Sequence, residues 1–248
     1  MTTPQVFGVD IGGSGIKGAP VDIGRGALAQ PRHKVLTPQP AEPEAVARAV
    51  REVVEHFAHH GPVGLTFPGV VVDGSTRTAA NVDPGWIGLD AAGLFERTLD
   101  CPVVVVNDAD AAGLAEVTHG AGRDERGTVL LLTFGTGIGS ALFSGGVLVP
   151  NTELGHLELR GKDAERRASS AARERHGLSW AEWAVRVDEY LDLVERLFCP
   201  QLVIIGGGVS RKHEKFLPLL TERAAKVVPA ELRNDAGIVG AAMAAAGR

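Results

Sequence analysis

Cysteine is scarce here, with two residues in 248. Cys101 and Cys199 stand alone, outside any CxxC or Cys/His spacing that would hold zinc, and a disulfide framework is excluded. That scarcity suits a reducing compartment, most simply the cytoplasm. No apolar run nears the ~20 residues of a membrane span. The N-terminus, MTTPQVFGVD, lacks the apolar core of a signal peptide. Basic residues are not in excess either. Lys and Arg number 25 against 30 acids, a net charge of −5, which argues against nucleic-acid binding. The phosphate-loop pattern GxxxxGK[ST] is absent, and so are long linkers and repeats at a solenoid period.

What the chain does have is glycine, 32 residues gathered in clusters, and an apolar fraction of 44%, enough for a real core. Its length suits one large domain or two modest ones around a cleft. Strands and helices alternate, which makes the class α/β. VFGVDIG reads as a first strand and GIKGAPVDI as extended chain after it. Helices are expected over Glu44–His59, around Leu89–Thr98, over Ala109–His119 and Trp180–Phe198, and in the alanine-rich LRNDAGIVGAAMAAAG. The first should bury Ala45, Val46, Ala49, Val50, Val53, Val54 and Phe57. His56, His59 and His60 have metal-like spacing but read more simply as imidazoles at a helix C-terminus. The polar stretch from Asn151 to Gly177 is expected to cover the cleft.

Three expected strands end in glycine: VFGVDIGGSG, LLLTFGTGIGS and LVIIGGGVS. In α/β folds ligands gather beyond the carboxyl ends of strands, and glycine lets backbone N–H groups converge on an anion there. Three such turns point to a phosphate-rich ligand. GSGIKG matches the dinucleotide fingerprint GxGxxG, but Pro20, Gly24 and Gly26 forbid the helix that should follow. The expectation is instead a β-hairpin phosphate clamp, with Asp10 placed to hold Mg²⁺ directly or through water. A further anomaly lies in VVVVNDADAAGLAE, Val103–Glu116. A strand buried on both faces should end in a plain turn, and one helix cap needs one residue. Asn107, Asp108 and Asp110 are a surplus.

In order, DIGGxxIK, FPGVV, NVDPGW, NDADAAGLAE, GTGIG, ELGH and IIGGGV resemble the ROK family of bacterial sugar kinases and repressors, in the actin-like ATPase superfamily. The motifs run from residue 8 to about 240. The resemblance implies an actin-like, ribonuclease H-like fold of two domains around a cleft. Residues 1–107 with 236–248 would form the small domain and 108–235 the large one. It implies Asp108 as the base acting on the sugar 6-hydroxyl. Gly69, Asn81, Asn107, Glu153, His156 and Glu165 would contact the sugar, with Asp110 a helix-start residue. Asp10, Gly12, Gly13, Ser14, Lys17, Thr136 and Gly137 fall to the donor phosphates, and Gly206, Gly207, Gly208 and Lys212 to adenosine or more distal phosphates. Many family members carry a cysteine-rich zinc motif after the Gly-His pair. Here Gly155-His156 is followed by LELRGKDAERRASS, without cysteine, so no zinc is expected.

That variant resembles the branch of the family that phosphorylates glucose from inorganic polyphosphate and usually also from ATP. Two basic clusters are candidates for tracking such a chain, Arg211, Lys212 and Lys215, and Lys162, Arg166 and Arg167, although a charge run is usually a solvated face. A homodimer in the cytoplasm is expected, with no nucleic-acid or membrane partner. Alternatives are a strictly ATP-dependent hexokinase for glucose, mannose or an N-acetylated amino sugar, and a non-catalytic sugar-binding or regulatory protein. Repressors of the family place a helix-turn-helix before the first phosphate motif, and a first strand near residue 5 leaves no room for one.

Overall fold

The computed structural model describes residues 6–79 and 82–247. The chain forms two compact units, Met1–Ala115 with Asp235–Arg248, and Glu116–Asn234. The sequence pattern puts the boundary after 107, so the first unit holds eight further residues of that stretch, Asp108–Ala115.

The first unit is built on strands β1 (Val6–Gly12), β2 (Gly15–Asp22), β3 (Ala27–Leu28), β4 (His33–Val35), β5 (Val63–Phe67) and β8 (Val103–Asn107), with a small hairpin β6–β7 (Val71–Val72, Ser75–Thr76). The sheet order is β3-β2-β1-β5-β8, with β4 also on β2. β1 and β2 run antiparallel, while β1, β5 and β8 are parallel. Val104 and Val106, which share one face of β8, stay partly exposed while Val103, Val105 and Asn107 on the other are buried, which corrects the expectation of burial on both faces. Helix α1 (Pro43–Glu55) ends four residues before His59, and helix α2 spans Ala91–Leu99. Ala58 takes a left-handed conformation, and its N–H bonds to the Glu55 carbonyl, turning the chain out. Ala47 is buried and Ala45 is not, while Phe57 packs on the core from the turn. The histidines part company. His56 stacks on His33 with centroids 3.9 Å apart, and a His59 ring nitrogen lies 3.2 Å from the Pro62 carbonyl. Burial lowers the His59 pKa.

The C-terminal helix Ala236–Ala246 completes this unit by lying on β1 and β5. It can do so because the strands are cut away beneath it. A Cβ on Gly8 would overlap the Ile238 carbonyl, and one on Gly64 would overlap that of Ala241. On the helix itself, Gly240 meets the backbone of Ala111 in helix α3 (Asp108–His119). Ile238, Val239, Ala241, Ala242 and Ala245 are buried, so an alanine-rich, nearly all-apolar helix is what the position needs.

The second unit carries β9 (Thr128–Phe134), β10 (Ile138–Ser144), β11 (Val147–Val149), a two-residue hairpin β12–β13 (Glu158–Leu159, Lys162–Asp163), β14 (Leu202–Gly206) and β15 (Lys226–Pro229). The main sheet is ordered β11-β10-β9-β14-β15. β9, β14 and β15 are parallel, so β9 and β14 end on the same side. The polar stretch before residue 177 folds into a 3-10 turn (Leu154–His156), β12–β13 and helices α4 (Glu165–Ala168) and α5 (Ser170–Arg175). Helix α6 spans Trp180–Phe198 and starts on a capping box of Ser179 and Glu182. It buries Trp183, Val187, Tyr190, Leu191 and Val194 in the core. Among the described residues, no helix is long and apolar enough to cross a membrane.

Candidate active site

The first glycine turn is the hairpin between β1 and β2. Its register sets Asp10 opposite Lys17 and Gly12 opposite Gly15, with Gly13 and Ser14 exposed at the tip. Lys17 Nζ lies 3.0 Å from Asp10 Oδ2, and Thr66 Oγ1 donates to Asp10 Oδ1 at 3.1 Å. Thr66 also accepts the Ile11 N–H at 3.0 Å. A carboxylate at a strand end is thereby fixed from two sides. The C-terminal helix begins beside it, since a Cβ on Gly237 would sit 3.4 Å from the Asp10 carboxylate. Thr37 Oγ1 bonds the Gly12 carbonyl at 2.5 Å and steadies the tip. Thr66 escaped the sequence reading. Its signal is a hydroxyl inside VGLTF, a strand buried at every position.

The three polar residues at the end of β8 take separate roles. Asn107 is the helix cap, its Oδ1 accepting the N–H groups of Ala109 at 2.8 Å and Asp110 at 3.1 Å. Its Nδ2 donates to the Gly69 carbonyl at 3.0 Å. Asp110 is buried in the first turn, at 3% exposure. Asp108 alone faces solvent, with Oδ1 accepting its neighbour Ala109's N–H at 2.8 Å. A helix N-terminus favours negative charge, and a strand end holds it still. Gly69 lacks a side chain because Thr78 passes so close, with its carbonyl 2.7 Å from where a Cβ would be. Asn81 lies outside the described residues.

In the second unit, the turn Gly135–Gly137 joins β9 to β10, and Gly206 ends β14, followed by Gly207 and Gly208 at the same sheet end. Gly207, at φ +77°, packs where a side chain would strike the Phe134 backbone. Thr136, Gly207 and Gly208 are exposed. Glu165 belongs to this group. Its Oε2 accepts the Ile138 N–H at 3.2 Å, and a Cβ on Gly137 would run into its carboxylate. Glu153 precedes the 3-10 turn and His156 ends it, with Nε2 of His156 3.7 Å from Glu153 and Nδ1 3.4 Å from Asp163. Asp163 was not foreseen, because only the β12–β13 fold-back brings it to His156. Together His156, Asp163 and Glu165 form the triplet of metal-ligating types whose atoms lie within 4.8 Å of one another among the described residues. His56, His59 and His60 form no such group there. The basic clusters also separate. Arg167 pairs with Glu189 at 2.6 Å, and Arg166 lies 3.9 Å from Asp163. Lys212 and Lys215 form no ion pair among the described residues.

Loss of water raises the pKa of Glu153, the Glu165 charge adds to this, and His156 opposes it. With 40% of its side chain exposed, water screens part of these interactions. A raised folded-state value favours the protonated form. Its stabilisation is present below the ordinary glutamate value near 4.5 and is lost as pH rises through the folded one. Urea unfolding from pH 4 to 7 should therefore show wild type losing stability relative to E153Q as pH rises. A constant difference would contradict that environment.

Comparison with known proteins follows this geometry. An inorganic polyphosphate/ATP-glucomannokinase from Arthrobacter sp. strain KM superposes with a TM-score of 0.95 at 52% identity, covering 98% of this chain and 99% of that one. A ROK family glucokinase from Streptomyces griseus, in complex with glucose and AMPPNP, gives 0.84 at 26% identity, with 99% and 100% covered. The fold is thus the actin-like ATPase fold of the ROK sugar kinases. Residues 6–177 match the ROK family, and the chain belongs to it. A polyphosphate glucokinase of Mycobacterium tuberculosis (strain CDC 1551 / Oshkosh) is 54% identical over 239 residues, 96% of this chain and 90% of that protein.

Proposed function

We propose that this protein is a kinase that transfers a phosphoryl group from inorganic polyphosphate, and from ATP, to the 6-hydroxyl of glucose. The observation carrying the mechanism is Asp108, a solvent-facing carboxylate fixed at a strand end by the Asn107 cap. The donor assignment leans on the 54% identity to a polyphosphate glucokinase. Asp108 takes the proton from the 6-hydroxyl as the oxygen attacks phosphorus, and the bridging oxygen of the donor leaves in line. Positioning and charge stabilisation do most of the work in such transfers. In the first unit the tip amides of Gly12, Gly13 and Ser14 and the ammonium of Lys17 are assigned to the donor. In the second, Thr136, Gly137 and Gly206–Gly208 supply further amides, while Glu153, His156 and Glu165 are assigned to sugar hydroxyls.

Asp10 suits a divalent cation, being a hard oxygen donor already held by Lys17 and Thr66. Mg²⁺ bound there would neutralise donor phosphate charge. A cytoplasmic homodimer is the expected form. Mannose is a second acceptor to test, since the Arthrobacter relative is a glucomannokinase. The deciding experiment follows sugar 6-phosphate formation with Mg²⁺, using nucleotide-free long-chain polyphosphate or ATP as sole donor. Turnover with both is expected. Turnover with ATP alone would reduce the reading to an ATP-dependent hexokinase, and none with either donor would refute it.

A further inference from the structure

Beyond the third glycine turn, the chain enters a 3-10 helix, Gly208–Lys215. Two of its lysines lean toward one aromatic ring, with Lys212 Nζ 6.0 Å and Lys215 Nζ 5.9 Å from the centroid of Trp180. The guanidinium of Arg173 lies closer still, 4.1 Å over the same ring. The ring is backed by Phe216, stacked at 6.1 Å, and edged by Trp183. Arg173 arrives from α5, whose Ala171 N–H bonds the Gly135 carbonyl at 3.0 Å. The cluster is therefore anchored to the second glycine turn through α5 and to the third through the 3-10 helix.

Elsewhere in this unit arginines meet carboxylates. Arg167 pairs with Glu189, and the buried Arg223 with Asp188, Asp192 and Glu195. Around Trp180 nothing comparable occurs. Among the described residues Arg173, Lys212 and Lys215 form no ion pair, and Glu214 in the same helix pairs with none of them. Among the described residues the Arg173 guanidinium bonds the Leu178 carbonyl through Nη1, and its Nε is buried without a hydrogen-bond partner. In a chain with five more acids than Lys and Arg, three cations that form no ion pair among the described residues make a local positive field suited to a polyanion. The ring's quadrupole offsets part of their mutual repulsion but leaves no charge neutralised.

We propose that Arg173, Lys212 and Lys215 around Trp180 bind the distal part of the polyphosphate donor, beyond the phosphates held at the glycine turns. This rests on the polyphosphate-dependent reading above. A short donor such as ATP ends in adenosine and has no further phosphates to offer. A long chain does, so the cluster confers both donor preference and chain-length dependence. Binding of the long donor should also weaken more steeply with salt than binding of ATP.

The test has two arms. Trp86 and Trp183 are fully buried, so Trp180 is the tryptophan of the three with solvent access, and its fluorescence reports on the site. Nucleotide-free long-chain polyphosphate, titrated without glucose, should change that emission. The exposed-lysine variant K212Q/K215Q should bind it about tenfold or more weakly. No binding by wild type, or equal binding by the variant, overturns the site. In the second arm, kcat/KM is compared for long-chain polyphosphate, tripolyphosphate and ATP. The variant should lose about tenfold with the long chain and clearly less with the other two. Equal loss with all three donors overturns the proposal. If wild type binds long polyphosphate through these lysines yet makes no glucose 6-phosphate from it, the donor reading fails while the site stands.

Discussion

Replacing Asp108 with Asn should cut glucose phosphorylation by about 10²–10⁴-fold, the range expected when a positioned base is removed. The fold should survive. Asn keeps an oxygen that accepts the Ala109 N–H, and the cap itself belongs to Asn107. Asp108 is exposed, so no buried charge is stranded. Steady-state kinetics with each donor, together with a glucose-binding titration, separate the two roles. Lost turnover with glucose affinity kept is the signature of a base that acts mainly in the transition state. Near-normal turnover would return Asp108 to the helix terminus as one more favourable charge. A parallel loss of glucose binding would make it a sugar contact first.

Adding one methyl group at Gly64 should be among the most damaging changes to stability. The new Cβ would fall on the backbone carbonyl of Ala241, which has no side chain to swing aside. The C-terminal helix must then lift from β1 and β5, opening the packing of Ile238, Val239 and Ala242. A cost of about 3 kcal/mol or more follows from overpacking of this kind. For a chain of this length that lowers Tm by about 6–12 °C. Gly13→Ala is the control, because a Cβ there meets nothing within 4 Å. Calorimetry showing G64A within a degree or two of G13A would mean the helix docks less rigidly than its fit with the glycines indicates.

Much of this was legible in the sequence where the signal is local. Helix α6 keeps its expected bounds, Trp180–Phe198, and Ser179 and Glu182 form a capping box ahead of a clean apolar face. The hairpin at Asp10 followed from glycines and a proline that forbid a helix, and its register places Lys17 on Asp10. Helix α1 was overrun because Phe57 continues the apolar period from a turn rather than from the helix. At Asn107, Asp108 and Asp110 the residue types announced a cap and something more. Which oxygen faces the N–H groups is a matter of three-dimensional aim, and Asn107 has it. The contacts hardest to foresee join distant residues. Nothing periodic links Arg173 and Trp180 to Lys212 and Lys215, or Arg167 to Glu189, the pairing that sets one basic cluster apart from the other.

The last helix lies in grooves made by the first strands, and this has a consequence for the order of events on the ribosome. Gly8 and Gly64 are made early, but the helix that fills the space above them emerges only after residue 236. The Glu116–Asn234 unit is continuous and is translated in full before that helix exists. Domains fold as they are completed during synthesis. The nascent first unit must therefore wait, its strand face bare, until the whole second unit has been made.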